Sequence, residues 1–223
     1  MMTLSRTFSR LAAVVALGAL AACTGSNGVE QQRAGLGDIT SILLNRSTAT
    51  AAPSVESALA RTELPVNQLR LTGRDVTAFV IRIEQNGPYL TYASGDQRTV
   101  IYKNGMIVGT RGLGEDLMSS TADRSLALVR GRKNGTVQRI QRYLTPDNRT
   151  VELVATCEIA YGGEEAYSAG LVKTPVTRMT ESCVAEGLAI ENAYLVDRRG
   201  EIVFARQYLS PGNGYVMSYS LRR

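Results

Sequence analysis

From Leu64 onward, apolar and polar positions alternate in short runs. "VTAFVIRIEQNG" (Val76 to Gly87) has the period of two that sends successive side chains to opposite faces of a strand. "TVIYKNGMIV" (Thr99 to Val108) holds Asn104-Gly105 between two such runs, a strong hairpin signal because both residues tolerate positive φ. Asn134-Gly135 repeats the device between "LALVRGR" and "TVQRIQRYL", and Pro146-Asp147-Asn148 turns the chain before "TVELVATCEIAY". Further on, "NAYLVD", "EIVFARQYL" and "YVMSYSL" are divided by Arg199-Gly200 and Pro211–Gly214, with a loop expected over Gly162–Gly170. The spacing predicts about nine or ten short strands in a mainly β fold, an antiparallel β-sandwich or open half-barrel with a few short helices. No helical pattern is long enough for parallel crossovers, although "TADRSLALVR" could begin as a helix.

Before Leu64 the pattern changes. "GLGDITSILLNR" (Gly35 to Arg46) predicts a short helix capped by Asp38, with Ile39, Ile42 and Leu43 on one face. Ser47–Ala60 is small, polar and Ala-rich and reads as a tether, with a helical turn after Ser54. The expected organisation is a leader over 1–22, an N-terminal helix and tether over 23–60, and a single β-rich domain over 61–223.

The leader carries Arg6 and Arg10, no acidic residue, and then an apolar run from Leu11 to Ala22, the layout of a secretory signal. Twelve helical residues cover roughly 18 Å at 1.5 Å each, well short of the roughly 30 Å of hydrocarbon that a spanning helix must cross. Leu20-Ala21-Ala22-Cys23 is similar to a bacterial lipobox, in which the cysteine thiol takes a diacylglycerol and becomes the mature first residue. Cys23 is therefore the expected lipidation site, including palmitate-type acyl chains. Each buried CH₂ contributes about 0.8 kcal/mol, so several chains anchor the protein firmly. Thr24 stands where Asp would favour retention at the inner membrane, which points to the periplasmic face of the outer membrane.

Two cysteines then remain, Cys157 and Cys183, and an even pair in an oxidising compartment reads first as a disulfide. Two buried free thiols are the other reading, and without His two cysteines make a poor metal site. The chain has no His and no Trp, so the commonest general base and metal ligand near neutral pH is missing. No metal or other cofactor is expected, and no catalytic residue is assigned. Glu164-Glu165 reads as a solvated loop, Gly112-Leu113-Gly114 as a turn leaving a strand, and no Ser sits in G-x-S-x-G. A formal charge of +5 is too mild for a nucleic-acid protein. Arg130, Arg132 and Lys133 form a basic turn, with Arg139 and Arg142 close behind; these five are candidate contacts for a glycan or another anion. Tyr89, Tyr92 and Tyr102, three of ten tyrosines, are candidate sugar-stacking residues or ordinary cross-strand packing.

"ENAYLVDRRGEIVFARQYLSPGNGYV" (Glu191 to Val216) resembles the closing segment of the YjbF/GfcB family of group 4 capsule and exopolysaccharide lipoproteins, through Tyr194, Val196-Asp197, Gly200, Ile202 and Gln207-Tyr208-Leu209. "YASGDQRTVIYKNGMIVGTRGLGEDL" (Tyr92 to Leu117) and "LPVNQLRL" (Leu64 to Leu71) agree. The resemblance implies an accessory role in making or exporting extracellular polysaccharide, without catalysis, beside outer-membrane and periplasmic proteins of the same pathway. Two alternatives remain open: a carrier whose β cavity binds a lipid or lipid-linked sugar, and a polysaccharide-modifying enzyme.

Overall fold

The computed structural model describes residues 54–223. Twelve antiparallel strands form one nearly closed, barrel-shaped sheet. They are β1 (Val66–Leu71), β2 (Val76–Asn86), β3 (Tyr89–Ala93), β4 (Thr99–Lys103), β5 (Met106–Arg111), β6 (Leu117–Ser120), β7 (Gly135–Leu144), β8 (Thr150–Ala169), β9 (Val172–Ala185), β10 (Leu188–Asp197), β11 (Ile202–Ser210) and β12 (Gly214–Arg222). Helix α1 (Val55–Ala60) precedes β1, and α2 (Asp123–Gly131) lies between β6 and β7. The order is β5-β4-β3-β2-β1-β12-β11-β10-β9-β8-β7-β6: a meander whose ends join through β1 and β12 and whose seam falls between β5 and β6.

Alternation builds the interior. Ile190, Tyr194 and Val196 of β10 point inward with Asn192 between them, and Val216 and Ser218 do the same on β12. One apolar cluster joins Met106, Val137, Ile159, Met179 and Tyr194 with Leu126 and Val129 of α2. A second joins Leu69, Val80, Tyr92, Tyr102, Ile107 and Leu209. Each fully buried side chain of this size contributes about 1.5–3 kcal/mol. The α2 helix thus packs Leu126 and Val129 onto the first of these clusters.

The seam is held by side chains. As an edge strand, β5 presents unpaired backbone groups, and the carboxamide of Gln207 on β11 meets them across the interior. Ile107 N–H donates to Gln207 Oε1 at 2.7 Å, and Gln207 Nε2 donates to Ile107 C=O at 3.3 Å. In the loop joining β5 to β6, Asp116 accepts from Thr110 Oγ1 (2.8 Å), Gly112 N–H (2.7 Å) and Leu113 N–H (3.1 Å).

Several sequence expectations are met here. Asn104 (φ 47°) and Gly105 (φ 88°) turn β4 into β5 with both residues left-handed, as a two-residue hairpin of matching twist requires. The helical turn after Ser54 is α1, capped by a hydrogen bond from Ser57 N–H to Ser54 Oγ at 3.2 Å. Others are corrected. "LALVRGR" is helical, within and just after α2, so Asn134-Gly135 is a helix-to-strand junction rather than a hairpin turn. Leu126 and Val129 fall on one helical face that covers the core, and this tertiary burial decides the segment. The expected loop over Gly162–Gly170 is mostly strand: β8 runs through to Ala169 with a register shift between Tyr161 and Glu164. Gly163 (φ 105°) takes a conformation that a side chain would oppose, as bulges often need. Beyond it the β8–β9 arm packs Tyr167, Val172 and Val176 on Leu195 and Val203, forming a third apolar cluster. Tyr167 Oη donates to Ser220 C=O at 2.9 Å, and Leu171 N–H to Leu221 C=O at 2.8 Å. The leader, Cys23 and the expected Gly35–Arg46 helix lie outside the described residues.

Candidate functional site

The barrel is open at the end where α2 meets the β4–β5 and β10–β11 turns. A cavity of about 250 Å³ lies there, in the mouth of the barrel. Its walls are inward-facing side chains: Asn67 of β1, Arg82 of β2, Tyr92 of β3, Tyr102 of β4, and Ser218 and Ser220 of β12. The β2–β3 turn at Pro88, the β4–β5 turn at Asn104 and the β10–β11 turn at Glu201 rim the opening. Tyr92 and Tyr102 meet edge to face with centroids 5.2 Å apart. Tyr102 Oη shares a hydrogen bond with Ser218 Oγ at 2.8 Å. Burial pushes the Tyr102 phenol well above its ordinary range, so it stays protonated.

Arg82 stands opposite Tyr92 in the β2–β3 register. It makes no ion pair among the described residues, while two charged neighbours at the cavity are paired: Arg223 with Asp197 at 2.5 Å and Glu201 with Arg130 at 3.2 Å. The cavity therefore carries one uncompensated positive charge beside neutral hydrogen-bonding groups and aromatic surface.

The other interior polar group is closed. Arg139 and Glu181, both almost wholly buried, pair at 2.7 Å. Glu181 Oε2 also accepts from Tyr194 Oη and Asn192 Nδ2, each at 2.9 Å, and Arg139 Nη2 donates to Ser120 Oγ at 2.9 Å. Burial alone would raise the Glu181 carboxyl; the guanidinium and the hydrogen bonds outweigh it and hold the group below the usual carboxylate range. Burial and the Glu181 charge push the Tyr194 phenol well up.

The five basic residues singled out in the sequence do not form one group. Arg130 and Arg132 share the C-terminal end of α2 with exposed Lys133. Arg130 Nε donates to Gly200 C=O at 2.7 Å and Arg132 Nη2 to Asp197 C=O, so both brace the β10–β11 turn. Arg139 is inside the barrel, away from any surface contact, because position 139 falls on the inward phase of β7. Arg142 pairs with Glu152 at 2.6 Å across β7 and β8. Tyr92 and Tyr102 are buried at the cavity, whereas Tyr89 is exposed with Lys103 5.2 Å above its ring. Cys157 and Cys183 face each other across β8 and β9 and form a disulfide. With Glu181 they are the one group of metal-ligating side chains among the described residues, and their sulfurs are spent on each other.

Arg82, Asn67, Ser218 and Ser220 are not among the residues the sequence singles out. A signal exists for the first: Ala78, Val80 and Arg82 share a phase in "VTAFVIRI", which puts a cation on the core-facing side of a strand. The family motifs, by contrast, hold structure. Asp197 Oδ1 accepts from Arg199 N–H and Glu201 N–H at 2.9 Å each to shape its turn, and Gln207 and Asp116 close the seam.

A family model described as group 4 capsule polysaccharide lipoprotein gfcB, YjbF, matches residues 38–221. No protein with a curated description matches the chain. The crystal structure of the hypothetical lipoprotein YmcC from Escherichia coli superposes with a TM-score of 0.67 at 16% identity, over 87% of this chain and 98% of that one. A lipoprotein from Parabacteroides distasonis gives 0.35 at 8% identity, over 72% of this chain and 95% of that one. An exported protein from Bacteroides fragilis with a YmcC-like fold gives 0.31 at 9%, over 71% and 93%. At these identities the YmcC match shows a shared fold.

Proposed function

Because this chain belongs to the YjbF family of group 4 capsule polysaccharide lipoproteins, we propose that it serves capsule or exopolysaccharide production as an accessory protein that binds rather than catalyses. In this reading diacylated Cys23 anchors it to the periplasmic face of the outer membrane, and the β domain meets glycan or partner proteins of the secretion pathway. Exposed Lys133, beside the half-buried Arg130 and Arg132, is a second contact for anionic glycan, and Arg142 a third on the flank.

The observation that carries the binding reading is the open polar cavity beside a closed ionic interior. The deepest carboxylate, Glu181, is locked by Arg139, Tyr194 and Asn192 and kept ionised, a poor state for a general acid. A hydrolase of the usual kind needs two carboxyl groups flanking a sugar; the carboxylate at the cavity, Glu201, is tied to Arg130.

A clean deletion tests the role. Loss of surface polysaccharide, restored by the intact gene but much less well by Cys23→Ala, is the expected result. Unchanged polysaccharide in the deletion strain, with the protein shown to be expressed in its parent, refutes it. Mass spectrometry of the native N-terminus reads the anchor directly, and a residue 1–22 leader still attached refutes that part.

A further inference from the structure

We infer that the cavity in the barrel mouth is a subsite for a single acidic sugar unit, a uronate within an oligosaccharide, with Arg82 taking its carboxylate. The inference rests on the proposed glycan-binding role and gives that role a site.

Four features lead to it. The first is charge. Arg82 points into the cavity opposite Tyr92 without an ion pair among the described residues, and the other charges there are matched. A guanidinium in that state recruits a planar anion, for which its fixed fork of donors is built. The second is the neutral lining. The Asn67 carboxamide lies against the Tyr102 hydroxyl, and Ser218, Ser220, Gln85 and Asn104 add both donors and acceptors. Such groups complement the hydroxyls of a pyranose, each of which donates and accepts. The third is the apolar wall. Leu90 and the Tyr92–Tyr102 pair offer carbon surface to the C–H face of a sugar ring.

The fourth is size and access. At about 250 Å³ the cavity falls below the roughly 300–1,000 Å³ of pockets that swallow a whole drug-sized ligand. It suits one ring, with the neighbouring units leaving through the mouth that the β2–β3, β4–β5 and β10–β11 turns rim. A lipid tail finds no match, since its methylenes would leave the Arg82 charge without a partner. This selects the sugar over the lipid-carrier alternative.

The test titrates the purified protein with glucuronate- and galacturonate-containing oligosaccharides. The same oligosaccharides with their carboxyl groups reduced to alcohols, and vesicles containing phosphatidylglycerol, serve as the other arms. Amide shifts at Asn67, Arg82 and Ser220 report site occupancy. The acidic oligosaccharides should shift these three amides saturably. Arg82→Gln should weaken them by about tenfold or more, as loss of a charged hydrogen bond implies, and change the reduced ones less than about twofold. Ser220→Leu, which fills part of the cavity and leaves the Arg82 charge in place, should abolish both. No shift with any oligosaccharide at millimolar concentration, equal weakening of charged and reduced forms by Arg82→Gln, or shifts produced by vesicles alone would each overturn the inference. Strains separate this from the broader role. If deletion removes surface polysaccharide while Arg82→Gln and Ser220→Leu strains both keep it, the cavity assignment fails and the family role stands. If deletion itself changes nothing, the role fails.

Discussion

Replacing Arg139 by Met should be among the most damaging single changes in the barrel, and its cost should depend on pH in a defined direction. The guanidinium and Glu181 are 4% and 0% exposed, and they pair at 2.7 Å. Removing one member strands the other charge in the interior, which costs about 3–5 kcal/mol. For a domain of this size each kcal/mol lowers Tm by about 2–4 °C, so the expected loss is about 6–20 °C. The sign with pH follows from the carboxyl. In the intact protein Glu181 sits below its ordinary value, so its contribution is fully present above the unfolded pKa and is lost as pH falls through the folded one. In Arg139→Met the largest effect opposing burial is gone, so burial outweighs the remaining hydrogen bonds and that carboxylate loses stability as pH rises instead. The gap between the two proteins should therefore widen from pH 4 to pH 7. Urea denaturation read by tyrosine fluorescence measures it, since the chain has ten Tyr and no Trp. The double variant Arg139→Met/Glu181→Leu should recover most of the loss, because an apolar pair of similar volume replaces an ion pair with little penalty. A single-variant loss below about 1 kcal/mol, a gap that narrows with rising pH, or a double variant as damaged as the sum of its parts would refute the reasoning.

Converting Cys157 and Cys183 together to Ala should lower stability by about 3.5 kcal/mol on the loop-entropy estimate for a separation of 26 residues. Urea midpoints with and without reductant check this, and a loss under about 1 kcal/mol would show the β8–β9 hairpin already confines the unfolded chain. Gln207→Leu should leave the Ile107 amide and carbonyl unpaired at the seam, at about 1–3 kcal/mol for each group. Hydrogen exchange at Ile107 should accelerate well beyond that at Tyr194, and equal protection of the two would refute the clasp.

Strand existence was legible because period-two patterning and the Asn104-Gly105 turn are local signals that the tertiary structure does not override. The α2 segment was ambiguous for the same reason. "SLALV" satisfies a strand or a helix, and only the position of Leu126 and Val129 over the core decides. Barrel closure was invisible: β1 and β12 are far apart in the chain, and neither carries a mark naming its partner. The cysteine pair was visible as an even count but acquired its place only from the β8–β9 register. At the candidate site, the conspicuous signal in the sequence is a run of basic residues in a turn. The cation that faces the cavity is a lone Arg82 inside an apolar run, where its meaning depends on strand phase rather than on neighbours in sequence.

The joining of β1 to β12 also governs how the molecule can be made. Of the eleven ladders, ten link strands that follow one another, so each can zip as soon as its second member exists. The remaining ladder pairs Val66 of β1 with Arg222 of β12, at the two ends of the sheet-forming sequence. A polypeptide emerging N-terminus first must therefore hold one edge of β1 unmatched until β12 has been made. Closing so long a loop costs about 2 kcal/mol more than closing one of twenty residues. Ring closure should thus be the slow event, and loss of β12 would bare one edge of β1 and one of β11.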